Sequence, residues 1–405
     1  MVPIYQALVP YGPEERRPWA ALSFPRDEYE RRVAAVQARL SADGLAAVVT
    51  FSNRGDPGHA RYLANFEAGP GETCVVVPAA GRAMLTTNWL MHGEPMHTMI
   101  WTTWLDDVRA ADRAGFSKAP AATVAAHIAD RLREAGVRRD RVGIAGGALL
   151  PHYVMVEFGE RLPDVAFVPA DDLVLGVRAK KSPAEIDVMR RVARISGKMQ
   201  EAALQTIAPG VTERAVMAAA HAAGFAAGAD ALAFDTAVAS GPRAGLKHAA
   251  PTDRVMRDGD LVFIDMGALL QGYCADVSRS AVAGRPTAEA KRFLEAGLAM
   301  FEAVLAQAKP GVAVVDLIAT ARDVAERAGF AADYMPMGFG HGVGCSLFEQ
   351  PSLRPISTAV LEPGHTFALE PMLIRLNFGT ACVEETVLVT PAGAEALSGC
   401  RYRAW

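Results

Sequence analysis

Two aspartates in the stretch from Leu261 to Ser280 constrain this chain more than any other feature. An apolar run ends at Asp265, a second run carries Asp276, and the residues between them indicate two strands joined by a short turn. A hairpin symmetric about Leu270-Gln271 would place the two aspartates opposite each other, with Cβ atoms about 4.5–5.5 Å apart. Buried carboxylates at that distance repel, and a cation between them removes the repulsion. The alternative is a pair of solvated carboxylates at a sheet edge.

Length and composition exclude several classes of protein. The chain has 405 residues, of which 51% are hydrophobic, and its formal net charge is −4. These values favour a globular protein of two or three domains and exclude nucleic acid and anionic membranes as expected partners. No apolar run is long enough to span a bilayer and no signal-peptide pattern opens the sequence, so we expect a cytoplasmic location. Five cysteines without a CxxC pair argue against a disulfide framework or a zinc ribbon.

The order of helical and strand patterns predicts two domains. Helices and strands alternate over residues 1–172, which predicts an α/β domain. Residues 176–405 carry helices first, then the aspartate hairpin, then further helices and strands, which is typical of an α+β domain. Ser182, with Pro183 and Glu185 after it, forms a capping-box pattern and predicts the start of a long helix.

Three further positions are candidates for the same site as the aspartates. His341 lies in a cluster of glycines, and Glu370 ends an apolar run before a proline. Glu384 and Glu385 lie within an apolar strand pattern, where alternation lets only one of them face the same side as Cys382. A carboxylate in so apolar a strand costs free energy unless it is paired or binds a metal.

Together these residues resemble the motifs of the pita-bread metallopeptidase family. That family contains methionine aminopeptidases, prolidases, aminopeptidase P and creatinase, and the resemblance covers roughly residues 176–395. The N-terminal part is similar to the smaller domain of the creatinase–prolidase branch. The resemblance therefore implies an α+β fold, with a pita-bread catalytic domain preceded by a smaller α/β creatinase-type domain.

The resemblance also implies a site for two divalent metal ions. Asp276, His341 and Glu370 would bind one ion, Asp265 would bind the other, and Glu384 would bridge them. Glu385 would point away, as a surface carboxylate or as one that supports the ligands from behind. Oxygen-rich ligands suit Mn²⁺, which we expect here, with Fe²⁺, Co²⁺ or Zn²⁺ as alternatives.

His248 matches the position of a histidine that lies on the substrate side of the metals in the family. Such a histidine can donate a proton near neutral pH, while Glu370 can accept the proton of the attacking water. The alternative for His248 is a solvated loop histidine. The expected reaction is metal-dependent hydrolysis of a C–N bond, in an amide or a peptide.

Two departures from the family pattern bear on the substrate. Phe348 stands where peptide-cleaving relatives usually carry a second histidine, and Cys382 stands where the prolidase branch usually carries arginine. We therefore expect an altered, small-molecule substrate in place of an ordinary Xaa-Pro peptide. The alternative is that His365, or His97 of the partner subunit, fills the gap.

Other functions fit parts of the same pattern. A creatinase-like or ectoine-hydrolase-like enzyme would act on a small amide or guanidino compound, and a metal-dependent lyase is a further alternative. A binding protein that had lost catalysis would have broken ligands, and none of the five is broken. The expected substrate is a small molecule or a short peptide.

The resemblance also implies a homodimer. A group of aromatic residues could line a binding rim, although core packing explains them equally well. Three cysteines near the expected ligands are predicted to be small buried residues, with a thiolate ligand as the alternative. The aromatic residues are Trp89, His92, His97, Trp101 and Trp104, and the cysteines are Cys274, Cys345 and Cys382.

Overall fold

The chain forms two compact units, Met1–Arg178 and Ala179–Trp405, called here the N-terminal and C-terminal units. This computed structural model describes residues 22–69, 71–88, 90–91, 94–95, 103–111, 123–336 and 339–405. Helices and sheets occur in both units, which confirms the α+β class. Within the described ranges, no helix has the length and apolar character needed to cross a bilayer.

A six-stranded mixed sheet organises the N-terminal unit, in the strand order β6-β3-β2-β1-β7-β8. The central strand β1 is wholly buried and pairs antiparallel with β2 and parallel with β7, and its mainly apolar sequence suits a strand covered on both faces. The strands of the unit are β1 (Ala47–Ser52), β2 (Thr73–Pro78), β3 (Met84–Thr87), β4 (Leu90–Met91), β5 (Glu94–Pro95), β6 (Asp107–Ala110), β7 (Arg141–Ala145) and β8 (Ala166–Pro169). Strands β4 and β5 pair with each other in a separate two-stranded sheet.

The described residues of the N-terminal unit form five α-helices, the last of them ending at its boundary. A buried apolar cluster joins the sheet to α3, with Val49 and Val76 from the strands and Ile128 and Leu132 from the helix. The helices are α1 (Arg26–Asp43), α2 (Gly58–Ala64), α3 (Val124–Glu134), α4 (His152–Arg161) and α5 (Asp171–Ala179).

Helix α5 covers residues 173–175, which lie between the two domains predicted from the sequence. Asp171 and Asp172 lie in its first turn, where carboxylates stabilise the helix N-terminus. The next helix begins as predicted. The Ser182 side chain accepts from the Glu185 N–H, the Glu185 side chain accepts from the Ser182 N–H, and Pro183 occupies the first turn.

The C-terminal unit contains four helices and short sheets built from thirteen strands among its described residues. Its helices are α6 (Pro183–Thr206), α7 (Glu213–Ala226), α8 (Ala288–Gln307) and α9 (Val314–Arg327). Its strands are β9 (Ala231–Leu232), β10 (Ala237–Ser240), β11 (Leu261–Met266), β12 (Ala268–Leu270), β13 (Tyr273–Cys274), β14 (Val277–Val282), β15 (Gly340–Gly342), β16 (Glu349–Ser352), β17 (Thr366–Leu369), β18 (Met372–Arg375), β19 (Gly379–Cys382), β20 (Glu385–Thr390) and β21 (Gly393–Ala396).

Two sheets of this unit carry the predicted ligands. The strand orders are β10-β11-β14 in one sheet and β16-β15-β17-β20-β21 in the other. Helices α8 and α9 pack on the second sheet, where Phe301 and Leu317 join Phe367 and Val387 in one buried cluster. This packing fixes the strands from which the candidate ligands project.

The aspartate hairpin has a different register from the one predicted. Asp265 lies opposite Ser278, and Leu270 lies opposite Tyr273, so the turn is centred on Gln271-Gly272. Both turn residues have positive φ, 51° and 80°, as a two-residue type I′ turn requires. Direct opposition of Asp265 and Asp276 is therefore wrong. Asp276 falls in the break between β13 and β14, and this break brings it back towards Asp265.

Candidate metal centre

Three carboxylates meet in the C-terminal unit. Asp265 projects from β11, Asp276 from the break between β13 and β14, and Glu384 from the break between β19 and β20. Each offers a carboxylate oxygen, and these oxygens lie within 4.8 Å of one another. All three residues are buried. They are called the carboxylate trio below.

Hydrogen bonds from neighbouring elements fix the backbone on which the trio is built. The Thr386 hydroxyl accepts from the Asp276 N–H and donates to the Asp276 carbonyl, both at 2.9 Å. Gln200 of helix α6 donates to the carbonyls of Ile264 and Val277, at 3.3 and 2.6 Å, and so holds β11 to β14. The two aspartates are therefore held close together by contacts that do not involve their own carboxylates.

The electrostatics of the trio call for a cation. Asp265 Oδ1, Asp276 Oδ1 and Glu384 Oε2 are buried and have no hydrogen-bond partner. Burial, reinforced by Glu370, raises the pKa of Asp265 to about 7. Burial and the neighbouring carboxylates raise the pKa values of Asp276 and Glu384 well above the usual range. Unpaired buried oxygens on hard carboxylate donors fit a divalent metal ion.

His341 adjoins the trio on strand β15. Its Nε2 lies 3.6 Å from Asp276 Oδ2, and its Nδ1 lies 3.1 Å from the Gly342 carbonyl. A Cβ at Gly340 would lie 2.0 Å from the Ala368 carbonyl oxygen, and the φ of Gly340 is +145°, so only glycine fits there. Burial lowers the pKa of His341, which favours the neutral imidazole that a metal requires.

Glu370 lies between β17 and β18 and is held by a lysine that sequence reasoning missed. Lys247 Nζ donates to Glu370 Oε2 at 2.6 Å. Burial lowers the pKa of Lys247, but Glu370 outweighs it and raises that pKa overall. One indication of this lysine was present in the sequence, because Lys247 directly precedes the candidate His248. The two partners are 123 residues apart, however, and no local pattern joins them.

His248 is exposed next to Lys247. It makes no hydrogen bond to any of the residues that the structure describes. Burial, followed by the charge of Lys247, lowers the pKa of His248, and the charge of Glu370 opposes both. The imidazole is therefore mainly neutral at pH 7 and lies within electrostatic reach of Glu370.

Glu385 points away from the trio, as alternation requires, but it is not a surface residue. It is fully buried and forms an ion pair with Arg279, which is also fully buried. The Ser398 hydroxyl donates to Glu385 at 2.6 Å. Arg279 also donates to the Glu384 carbonyl at 2.6 Å and to the Ser278 carbonyl at 2.9 Å. The pair therefore fixes the backbone beneath Glu384.

The two departures from the family pattern occupy different environments. Phe348 is 65% exposed, and its ring lies 4.3 Å from the His341 ring. Cys382 is buried, accepts a hydrogen bond from the Ser278 hydroxyl at 3.3 Å, and has a raised pKa because of burial. It is a neutral thiol. Cys274 and Cys345 are buried too.

The other candidates from the sequence contribute no ligand in the described part of the chain. His365 is buried and accepts from the Glu362 N–H through Nδ1 at 3.2 Å. Burial lowers the pKa of His365 to about 4. Trp104 stacks on Tyr29 within the N-terminal unit. Trp89, His92, His97 and Trp101 lie outside the described residues.

Comparison with known families matches both units. Residues 187–391 match metallopeptidase family M24, and residues 32–180 match the creatinase/prolidase N-terminal domain. The chain belongs to the M24 metallopeptidase family. The pairing of these two domains places it in the creatinase–prolidase branch of the pita-bread fold, as the sequence resemblance implied.

Relatives of this M24 chain support the same conclusion. The Xaa-Pro dipeptidase of Pyrococcus furiosus is 33% identical over 270 residues, which is 66% of this chain and 76% of the relative. The solved prolidase from Pyrococcus furiosus has a TM-score of 0.75 at 26% identity and covers 90% of this chain and 99% of its own. The Xaa-Pro dipeptidase from Bacillus anthracis has a TM-score of 0.77 at 25% identity, covering 93% and 99%.

Membership of this branch identifies the chain as a metal-dependent hydrolase of C–N bonds that uses divalent metal ions. The alternative of a binding protein without catalysis is therefore wrong.

Proposed function

We propose that this M24 hydrolase cleaves the amide bond of a dipeptide-sized substrate that presents an apolar group beside the bond, and that ordinary Xaa-Pro peptides are poor substrates. The observation that carries the proposal is Phe348. Its largely exposed ring lies against His341, where a histidine would offer a hydrogen-bond donor. A phenyl ring donates no hydrogen bond and favours contact with apolar surface.

The metal site in this proposal consists of Asp265, Asp276, His341, Glu370 and Glu384. Bound divalent ions would neutralise the carboxylates and supply Lewis acidity for the hydrolysis of an amide. The oxygen-rich ligand set favours Mn²⁺ over Fe²⁺, Co²⁺ or Zn²⁺. The three unpartnered oxygens of the trio support this assignment.

Two side chains carry the proton transfers. Glu370 accepts a proton from the attacking water, and the action of its charge on both Asp265 and Asp276 supports this role. His248 is exposed and largely neutral, so it can donate a hydrogen bond to charge developing on the carbonyl oxygen or assist the leaving nitrogen. Assembly as a homodimer is part of the same proposal and follows the resemblance alone. A cytoplasmic location, as expected from the sequence, is also part of it.

A plain Xaa-Pro dipeptidase is the second candidate, favoured by the printed activity of the 33% identical relative from Pyrococcus furiosus. The two candidates differ in what Phe348 does. If Phe348 removes a donor, introducing histidine there raises the turnover of proline peptides. If the donor is supplied elsewhere, the same change has little effect.

The experiment compares Mn²⁺-loaded wild type with Phe348→His on Xaa-Pro dipeptides, on peptides with proline second, and on small amides and guanidino compounds. We expect wild type to prefer small amides or dipeptides that carry an apolar group. Phe348→His should raise kcat/KM for Xaa-Pro dipeptides by about 10²–10³, the usual value of one well-placed oxyanion donor.

Phe225→His is the matched control, because Phe225 is also an exposed phenylalanine, 53% exposed on helix α7. It should leave both activities unchanged. Efficient cleavage of Xaa-Pro dipeptides by wild type, with the small compounds ignored, would overturn the proposal in favour of the plain dipeptidase.

A further inference from the structure

Lys247 places a positive charge inside the candidate metal centre. It follows the short 3₁₀ turn Gly241–Gly245, and its side chain is 25% exposed. Its ammonium lies 2.6 Å from Glu370 Oε2, and the Glu370 side chain is only 9% exposed. A contact this short, at a largely buried carboxylate, is a charge-assisted hydrogen bond.

The same ammonium also faces the rest of the site. The charge of Lys247 acts on Asp265, Glu384 and Cys382 as well as on Glu370. A cation is therefore present near Cys382, although position 382 itself carries none. It reaches the site from a different segment of the chain.

The carboxylates of the centre fall into two classes. The oxygens without a partner are one each on Asp265, Asp276 and Glu384, the three members of the trio. Glu370 differs, because one of its oxygens already binds a cation. The trio therefore lacks a positive charge, whereas Glu370 carries one supplied by the chain.

We propose that Lys247 is a resident cation that competes with a divalent ion for Glu370, so that the centre fills in two steps. The trio takes the first ion, and the second binds at Glu370 only when the ammonium is displaced. The physical reason is that two cations on one carboxylate repel, and partial burial weakens the screening of that repulsion. This inference rests on the proposed metal centre and adds to it a residue that sets its occupancy.

The test measures bound Mn²⁺ by elemental analysis after equilibrium dialysis against a series of free Mn²⁺ concentrations. Wild type should bind one ion tightly and the second at least about tenfold more weakly. Lys247→Met should tighten the binding of the second ion by at least about tenfold. It should tighten the first much less, because the ammonium contacts Glu370 directly and acts on the trio only through its charge. Lys247→Arg keeps the charge, so its second ion should stay weak.

Lys180→Met is the matched control. Lys180 forms an ion pair with Glu362 on the surface, where both side chains are about half exposed, and the pair includes no candidate ligand. This variant should bind Mn²⁺ as wild type does. The visible absorption of bound Co²⁺ gives a second readout, and in wild type it should change in two separate stages.

Equal binding of the second ion by wild type and Lys247→Met, in proteins with matching circular dichroism, would overturn the proposal. Failure of the metal centre itself has a different signature. In that case wild type would bind no more Mn²⁺ than Asp276→Ala at any concentration.

Discussion

Glu384 and Glu385 are consecutive and both buried, yet they belong to two regions with opposite electrostatics. Glu385 pairs with buried Arg279 and accepts from Ser398. Glu384 shares its region with Asp265 and Asp276, and each member of that trio has one buried oxygen without a partner. The first region is neutralised by the chain, whereas the second keeps unpaired buried carboxylates, which we propose bind divalent ions.

The two regions are linked through Arg279. Arg279 binds the Glu385 carboxylate and also the backbone carbonyl of Glu384. The satisfied pair thus positions the unsatisfied carboxylate. A buried charge is tolerated when it has a partner, and a buried charge without a partner is typical of a functional site.

The largest expected effect is a loss of turnover without a loss of metal. His248→Ala should lower turnover by about 10²–10⁴, the usual contribution of a general acid–base residue, because it removes a donor but no ligand. Elemental analysis should find the metal content unchanged. His152→Ala, at another exposed histidine, is the control. Loss of metal in His248→Ala would make this residue a ligand, and unchanged turnover would make it a solvated loop residue.

The satisfied region should respond through stability. Arg279→Met leaves Glu385 buried without its partner and should lower the free energy of unfolding by about 3–5 kcal/mol. Urea unfolding of the metal-free protein measures this. Arg403→Met breaks an exposed pair with Glu295 and should lower the free energy of unfolding far less, because solvent screens that pair. Equal effects of the two variants would contradict the importance of the buried pair.

The unsatisfied region should respond to pH. The pKa of Asp265 is about 7 in the folded metal-free protein, against 3.8 as its ordinary value. The folded state therefore binds more protons between these values, and Asp265 makes the metal-free protein more stable as pH falls from 7 towards 4. Metal binding must displace these protons, so Mn²⁺ affinity should fall as pH drops below 7.

Calorimetry in two buffers of different ionisation enthalpy measures the protons released when Mn²⁺ binds. We expect more proton release at pH 6 than at pH 8.5. Identical affinity at both values, with no proton released, would show that the trio is already ionised and stable without metal.

The sequence predicts best what depends on neighbouring residues. The capping box at Ser182 involves only contacts within one helical turn, and the structure has it as predicted. The hairpin register depends on which residues adopt positive φ. Gln271 does so, although glutamine is not typical of that conformation. The predicted turn was therefore one residue too early, and the predicted partner of Asp265 two residues too early.

Partners that are distant in the sequence could not be predicted. The alternation of the strand separated Glu384 from Glu385, but it could not reveal that Arg279, 106 residues earlier, would bury Glu385. Lys247 was missed for the same reason. The sequence motifs predicted which charged residues belong to the candidate site. Arg279 and Lys247, the cations that neutralise Glu385 and Glu370, are brought there only by the tertiary fold.

The central claim is that the chain itself neutralises Glu385 and leaves Glu384 to a metal ion. Thermal unfolding of wild type, Glu384→Gln and Glu385→Gln, each in chelator and in Mn²⁺, tests it most directly. Glu384→Gln should raise the Tm in chelator, because it relieves repulsion in the trio, and should lose most of the Tm gain that Mn²⁺ gives wild type. Glu385→Gln should lower the Tm in both conditions and keep that gain. A lower Tm for Glu384→Gln in chelator, together with an undiminished gain from Mn²⁺, would contradict the account.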